Sequence, residues 1–308
     1  MIARIVVLGS LNLDLVVTVP HLPHPGETVL GDGLASYPGG KGANQAVAAA
    51  RLGGQVAMVG RVGNDNFGAG LIENLDVNHV DSSGVEHDSA MPTGAALIYV
   101  EAGGQNMIAV APGANGTVGP MDAQRAVSRL VAGDVLVLQL EIPITVIEHA
   151  AVVARRAGAF VLLNAAPAQR LEPGLLSQLD ALVVNEREAG VLVDQETSPE
   201  AAASALRARG ARTAIVTLGP AGSVFCDDTG VHRVAPFPVK SIDATGAGDA
   251  FMGALAVGIA RRLETGAAVR FGNAAGAAAT SSVGAQAALP RLDDLRQRFG
   301  LDLSSSEQ

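Results

Sequence analysis

From residue 120 to residue 218 the chain alternates short apolar runs with amphipathic stretches, and that rhythm restricts the possible folds more than any other feature. The runs Val135–Leu138, Phe160–Leu163, Leu182–Val184 and Ala214–Leu218 are nearly unbroken by polar residues. Runs so short and so apolar suit strands buried on both faces. Helical spacing fills the gaps, near Met121–Val131, Pro143–Arg156, Glu186–Val193 and Pro199–Arg209. Strand, helix and strand in series require crossover connections, hence a parallel sheet covered by helices on both sides. Ile2–Leu8 supplies another buried strand, and helical periodicity recurs at Ala43–Leu52 and Phe67–Leu75. Two alanine-rich helices, near Gly248–Arg262 and Ala267–Ser281, are expected to end the fold. The expected class is α/β, a three-layer α/β/α sandwich with a mostly parallel central sheet.

Two segments break the rhythm. Val16–Pro38 and Pro92–Pro112 carry short strand patterns and prolines. Within the second, Ala95–Val100 and Asn106–Val110 alternate around Gly103-Gly104, which reads as a hairpin. Together, over about 11–40 and 91–113, they predict an inserted β structure that forms a lid on a single domain spanning 1–302. Residues 303–308 read as a frayed tail.

Composition excludes several functions. Hydrophobic residues make up 48% of the 308, enough for a large core, and the net charge of −9 argues against a nucleic-acid surface. The N-terminal apolar run is broken by Gly9, Asn12 and Asp14, unlike a signal peptide or a membrane span, so a cytoplasmic protein is expected. Cys226 is the single cysteine, which rules out an intrachain disulfide; its apolar context in Ser223–Cys226 reads as a buried thiol. His21 and His24 share a proline-rich loop but lack a zinc-site spacing.

The chemistry concentrates in Asp243-Ala244-Thr245-Gly246-Ala247-Gly248-Asp249-Ala250-Phe251. Two glycines permit a sharp turn, and Phe251, Leu255 and Ile259 mark a helix that follows it. A glycine turn opening a helix gathers free N–H groups and binds anions, phosphates above all. A carboxylate there, Asp249, repels a phosphate unless it has a task, and the obvious task is to take a proton from an attacking hydroxyl. The segment therefore reads as a phosphoryl-transfer centre.

Polar residues also gather after the strands. Asn12 and Asp14 follow the first strand, Glu141 follows Val135–Leu138, Asn185 and Glu188 follow Leu182–Val184, and Thr217 and Gly219 end or follow Ala214–Leu218. Open parallel sheets bind ligands at these carboxyl ends, so the groups should converge on one cleft. A second glycine motif, Gly39 to Gln45, opens a helix with Lys41 and Asn44 beside the turn. It is not a Walker A loop, because Ala35 and Gly42 stand where glycine and Ser/Thr are needed. No dinucleotide fingerprint follows the first strand, which argues against a nicotinamide dehydrogenase. Gly31–Gly33 and Gly68–Gly70 read as turns.

The chain resembles the ribokinase (PfkB) family of sugar kinases from about Ile5 to Pro290. The resemblance rests on Gly9-Ser10-Leu11-Asn12-Leu13-Asp14, Pro25-Gly26-Glu27-Thr28, Gly39 to Ala46, Gln139-Leu140-Glu141, Asn185-Glu186-Arg187-Glu188, and Asp243 to Phe251. It implies ATP-dependent phosphorylation of D-ribose, with Asp249 as the base for the 5-hydroxyl and the N–H groups of Gly246, Ala247 and Gly248 as an anion hole. Asn12, Asp14, Gly40, Lys41, Gly42, Ala43, Asn44 and Glu141 would hold the sugar. Asn185, Glu188, Thr217, Leu218, Gly219, Pro220, Ala221, Gly222, Gly248 and Asn273 would line the ATP site, with Asn185 and Glu188 organising Mg2+ and phosphate mostly through water. An activating K+ would sit among Asp243, Thr245, Ala279, Ser282, Gly284 and Ala288. The chain departs from the family pattern at Ser282, where bacterial members carry a basic residue, and at Ala288, often a serine. The resemblance also implies a homodimer built through the lids, and no nucleic-acid or membrane partner. Related kinases of deoxyribose, nucleosides, fructose or keto-deoxy sugar acids, and a catalytically inactive sugar-binding regulator, stay open as alternatives.

Overall fold

A computed structural model describes residues 2–101, 103, 105–195 and 197–301. Among the described residues the strands are β1 (Arg4–Leu8), β2 (Asn12–Val19), β3 (Asp32–Gly39), β4 (Gln55–Gly63), β5 (Asp81–Asp88), β6 (Gly94–Glu101), β7 (Asn106–Ala111), β8 (Val135–Leu138), β9 (Phe160–Asn164), β10 (Ala181–Asn185), β11 (Thr213–Thr217), β12 (Ser223–Asp227) and β13 (Gly230–Val234). The α-helices are α1 (Lys41–Arg51), α2 (Asn66–Val77), α3 (Pro120–Val127), α4 (Ile144–Arg156), α5 (Pro173–Leu176), α6 (Glu186–Val193), α7 (Pro199–Ala208), α8 (Ala247–Ala260), α9 (Thr265–Ala279), α10 (Ala285–Ala288) and α11 (Leu292–Phe299). The protein is a three-layer α/β/α sandwich with a small second sheet.

The large sheet runs β13-β12-β11-β10-β9-β8-β1-β4-β5. It is parallel from β11 to β5, and β12 and β13 close one edge antiparallel. Strand periodicity sends alternate side chains to opposite layers. Ile5 and Val7 enter a core with α1, α8 and α9, whereas Val6 and Leu8 enter a core with α3, α4, α6 and α7. Leu8, Leu136 and Leu163 are fully buried, each stabilising by roughly 1.5–3 kcal/mol. Small residues let the helices close in: a Cβ on Gly253 of α8 would lie 2.5 Å from that of Ala48 on α1.

The second sheet, ordered β3-β2-β6-β7, is built from the two segments expected to form an inserted β structure. β2 and β3 are inserted between β1 and α1, β6 and β7 between β5 and α3, and the two insertions join through the parallel pair β2/β6. The hairpin expectation holds for β6 and β7, which pair antiparallel; the turn residue Gly104 lies outside the described residues. The tail expectation for 303–308 also lies outside them. No helix among the described residues is long and apolar enough to cross a membrane. Cys226 is buried in β12.

Several expectations need correction. α8 and α9 do not end the fold, because α10 and α11 follow. α11 buries only Leu295, so it leaves little apolar signal. β4, β5 and β13 escaped the sequence reading: β4 is interrupted by Gly60 and Arg61, and β5 and β13 are polar edge strands. α3 stops at Val127 and not Val131, where the chain tightens through Arg129 N to Ala126 O and Leu130 N to Val127 O bonds. Gly68 and Gly70 are not a turn but the first half of α2, capped by Asp65 Oδ1, which accepts from Gly68 N at 2.8 Å. Asn12 and Asp14 follow β1 as expected and lie at the start of β2, within the inserted 11–40 segment.

Candidate active site

β1 lies between β8 and β4, and the chain departs from it in opposite directions along the sheet. Such a reversal opens a crevice at the carboxyl ends of the strands. Glu141 and Ser10 bridge it: Ser10 Oγ donates to Glu141 Oε2 at 2.5 Å, and Lys41 N donates to the same oxygen at 3.0 Å. The approach of α1 depends on Gly40, whose φ is 87° and whose Cβ, if it had one, would lie 2.7 Å from Asn12 N. A side chain there would be strained by the backbone and would strike it too. The start of α1 thus lies against the junction between core sheet and lid.

α8 enters from the other side. Its N-cap, Gly246, has a left-handed φ of 77°, and a Cβ there would meet Ala285 Cα at 3.1 Å. Asp249 follows in the first turn and is 7% exposed. Its Oδ2 accepts from Asn44 Nδ2 and its Oδ1 from Gln45 Nε2, each at 3.0 Å. Ala247 N donates to Ala244 O at 3.2 Å, whereas the amides of Gly246 and Gly248 have no protein acceptor among the described residues. A Cβ on Gly248 would meet nothing within 4 Å, so space is open beside this turn. That space is a cavity of about 230 Å³ whose walls include Lys41, Asn164, Asn185, Glu188, Thr217, Gly246, Gly248 and Asp249. A larger cavity of about 680 Å³ opens between α6 and α7, but Lys41, Asp249 and the Gly246 turn are not among its walls. Chemistry, not size, selects the smaller one.

Charge in the crevice is unbalanced. Burial works against the Lys41 ammonium, yet Asp249, Glu141, Glu188 and Asp14 outweigh it and hold the pKa above the ordinary lysine value. Burial, then Glu141 and Asp249, push Asp14 up to about 7 against the pull of Lys41. Burial also raises Glu188, against its bond from Asn185 N and the nearby Lys41. Asn185 and Glu188 form a capping box on α6, with both reciprocal bonds at 2.8 Å. Behind the turn, Asp243 Oδ1 accepts from Thr245 N and Oγ1 at 2.9 and 2.7 Å, and its Oδ2 accepts from Gly284 N at 2.8 Å. Burial would raise Asp243, but these donors prevail and hold it below the usual carboxylate value.

A family model, described as pfkB family carbohydrate kinase, matches residues 2–292. The chain belongs to the pfkB family of carbohydrate kinases. It is a sugar kinase, a phosphotransferase. The ribokinase of Haemophilus influenzae is 39% identical over 289 residues, covering 92% of this chain and 94% of that protein. The deoxyribokinase of Salmonella typhi is 35% identical over 304 residues, covering 97% and 99%. The structure of Arabidopsis thaliana ribokinase complexed with ribose and ATP superposes with a TM-score of 0.89 at 29% identity, covering 98% of this chain and 100% of that one.

Within this kinase the expected residues fall into separate groups. Lys41, Asn185, Glu188, Thr217, Gly246, Gly248 and Asp249 share the cavity. Asn44 joins them through its bond to Asp249, and Asp14 and Glu141 through their charge on Lys41. Asn12 is buried with its Oδ1 accepting from Asn115 Nδ2 at 2.7 Å. Leu218 to Gly222 form a tight turn, closed by a Leu218 N to Gly222 O bond at 2.8 Å. Asn273 lies on α9 and donates to Val234 O and Ala235 O at 3.3 and 3.2 Å, away from the cavity walls. Asp243, Thr245 and Gly284 meet through the carboxylate described above; Ala279 ends α9, Ala288 ends α10, and Ser282 lies between the two helices. His21 Nε2 pairs with Glu27 Oε1 at 2.9 Å. Sequence reasoning missed Ser10, Gln45, Asn115, Asn164 and Gln286, whose Nε2 donates to Asn44 Oδ1 at 2.9 Å. Asn164 could have been found, since it ends β9 as Asn185 ends β10. The others act through long-range bonds that no local pattern reveals.

Proposed function

We propose that this kinase transfers the γ-phosphoryl group of ATP to O5 of D-ribose, giving D-ribose 5-phosphate and ADP. The observation that carries the reading is the position of Asp249, bonded on one side to Asn44 of the sugar motif and placed on the other in the turn with the unoccupied Gly246 and Gly248 amides. Asp249 accepts the proton of the 5-hydroxyl as O5 attacks the γ-phosphorus; the bond to the bridging oxygen breaks, and ADP leaves with that electron pair. The Gly246 and Gly248 amides and the α8 N-terminus stabilise charge on the transferring oxygens. The Ala247 amide joins them only if it releases the Ala244 carbonyl. Asn12, Asp14, Gly40, Lys41, Gly42, Ala43, Asn44 and Glu141 hold the sugar beneath the lid, whose closure excludes water as a competing acceptor. Asn185, Thr217, the turn 218–222 and Asn273 hold the nucleotide.

Carboxylates outnumber the single ammonium around the cavity, so an incoming triphosphate needs added positive charge. Mg2+ would supply it, held by phosphate oxygens and by water on Asn185 and Glu188. The donor set fits, since only Oε2 of Glu188 is engaged in the capping box. Monovalent K+ would be held by oxygens of Asp243, Thr245, Ala279, Ser282, Gly284 and Ala288, where it would add positive charge behind the anion-binding turn. The fit rests on Asp243, which ties 245 to 284, and on Gly246, which lies against Ala285. The exposed apolar residues Leu34, Leu97, Ile108 and Val110 on the lid strands support a homodimer through the lids, and a monomeric mass in solution would refute it.

The deoxyribokinase relative favours deoxyribose as a second reading. ADP release is measured with ribose, deoxyribose, fructose, a nucleoside and a keto-deoxy sugar acid, with and without K+. Ribose is expected to give the highest kcat/KM. No turnover of ribose would overturn the assignment.

A further inference from the structure

We infer that Gln45, held in turn by Gln139, is a positioning residue that fixes the carboxylate of Asp249 as an acceptor aimed at the sugar hydroxyl. The inference rests on the reading of Asp249 as the base. Gln45 lies on α1, 1% exposed, and all of its polar reach is inward. Its Nε2 donates to Asp249 Oδ1 at 3.0 Å and to Asn164 Oδ1 at 3.1 Å. Its Oε1 accepts from Gln139 Nε2 at 2.8 Å. One amide thereby ties the base on α8 to β9 and to the residue that follows β8.

The chain of amides has a direction. If the Gln45 amide were turned over, its carbonyl oxygen would face the Asp249 carboxylate, acceptor against acceptor. Gln139 blocks that state by offering an N–H where the Gln45 carbonyl must go. The consequence is visible at its other end. Gln139 is fully buried, and its Oε1 has no hydrogen-bond partner. That oxygen occupies the place a side chain on Gly9 would take, 1.9 Å from an ideal Cβ. A buried acceptor without a donor is costly, and few survive in native structures without a reason. The reason here is that reversing Gln139 to satisfy its oxygen would reverse Gln45 and remove the donor from Asp249. Asn44 holds the other carboxylate oxygen, so the base is fixed from two sides and cannot rotate.

Three variants of the full chain test this with ATP and D-ribose. Gln45→Met keeps the volume and removes the donor; kcat is expected to fall about 10²-fold, the loss typical of misplacing a reacting group by an ångström, while the sugar KM changes less than about threefold. Gln139→Glu keeps the shape and makes the direction of the chain titratable. While protonated, the introduced carboxyl donates to Gln45 Oε1 and preserves activity. Once ionised it accepts instead, turns the Gln45 amide over and disarms Asp249. Its kcat therefore gains a falling limb at alkaline pH that the parent lacks. Asp14, Lys41, Glu141, Glu188 and Asp249, the titratable groups of the crevice, are the same in both proteins, so the ratio of the two profiles isolates position 139. A flat ratio from about pH 6 to 9, or a Gln45→Met variant with parental kcat, overturns the inference. If Gln45→Met does not fold, as judged by its melting curve, the Gln139→Glu profile decides alone. Asp249→Ala separates the two layers of argument. Full activity in it overturns the base assignment and this inference together; an inactive Asp249→Ala beside parental Gln45→Met and Gln139→Glu overturns only the positioning role.

Discussion

Lys41→Met tests the electrostatic design of the crevice. Lys41 is the one ammonium among Asp14, Glu141, Glu188 and Asp249, and their attraction exceeds its burial penalty. Removing one partner of a buried ion cluster costs about 3–5 kcal/mol when the remaining charge is sealed from water. Lys41 lines an open cavity, so water offsets part of that loss, and about 1–3 kcal/mol is expected. For a chain of this size that lowers the melting temperature by about 2–8 °C. The pH dependence is more telling than the magnitude. Asp14 titrates near 7 in the folded protein against 3.8 as a free group, so its ionised form destabilises the fold. That penalty is absent below about pH 4 and complete above about pH 7. Lys41 is the influence that lowers the Asp14 pKa, so without it the folded value rises further and the penalty grows. Lys41 itself, raised above 10.5, contributes fully throughout the neutral range. Melting curves of parent and variant from pH 5 to 9 should therefore diverge as pH rises through about 7. A difference that is constant, or that shrinks with rising pH, would refute this account of the site.

Further outcomes are expected at neighbouring positions. Asp249→Ala should lower kcat by about 10²–10⁴ with little change in sugar affinity, measured by steady-state kinetics and sugar titration. In the free enzyme Asp14 carries a proton below about pH 7 and becomes an acceptor above it, so kcat/KM for the sugar should rise through that pH; Asp14→Asn should abolish the limb. Gly40→Ala should cost roughly 1–2 kcal/mol for the left-handed backbone alone, and more because its Cβ would lie 2.7 Å from Asn12 N. A denaturant midpoint equal to the parent's would show that the α1 turn does not need glycine.

Legibility followed the range of the forces involved. The strands β8 to β11 were readable because burial on both faces leaves unbroken apolar runs. β5 was not, because an edge strand with sequence DSSGVEHD is held by backbone pairing to β4, which leaves no mark on composition. The turn before Asp249 was legible because glycine at 246 answers a local backbone demand. Asn185 and Glu188 show how a local signal can have two meanings, since the spacing read as ligand chemistry also closes a capping box. Gln139 stood in a quoted motif without a role, because its bond spans 94 positions to Gln45.

The sequence by itself determined the layered α/β class, the inserted small sheet, and the place of Asp249 as a carboxylate beside a glycine turn that opens a helix. Each of these is written within a few residues, as periodicity, as composition or as a glycine where φ is positive. The tertiary structure decided what surrounds that carboxylate. It set Asn44 and Gln45 against it across 205 and 204 positions, enclosed Lys41 among four acids from separate elements, and bound Asp243 to Gly284 behind the turn. Hydrogen bonds and charges act through space, so which groups meet depends on how the elements pack. No stretch of chain carries that information alone.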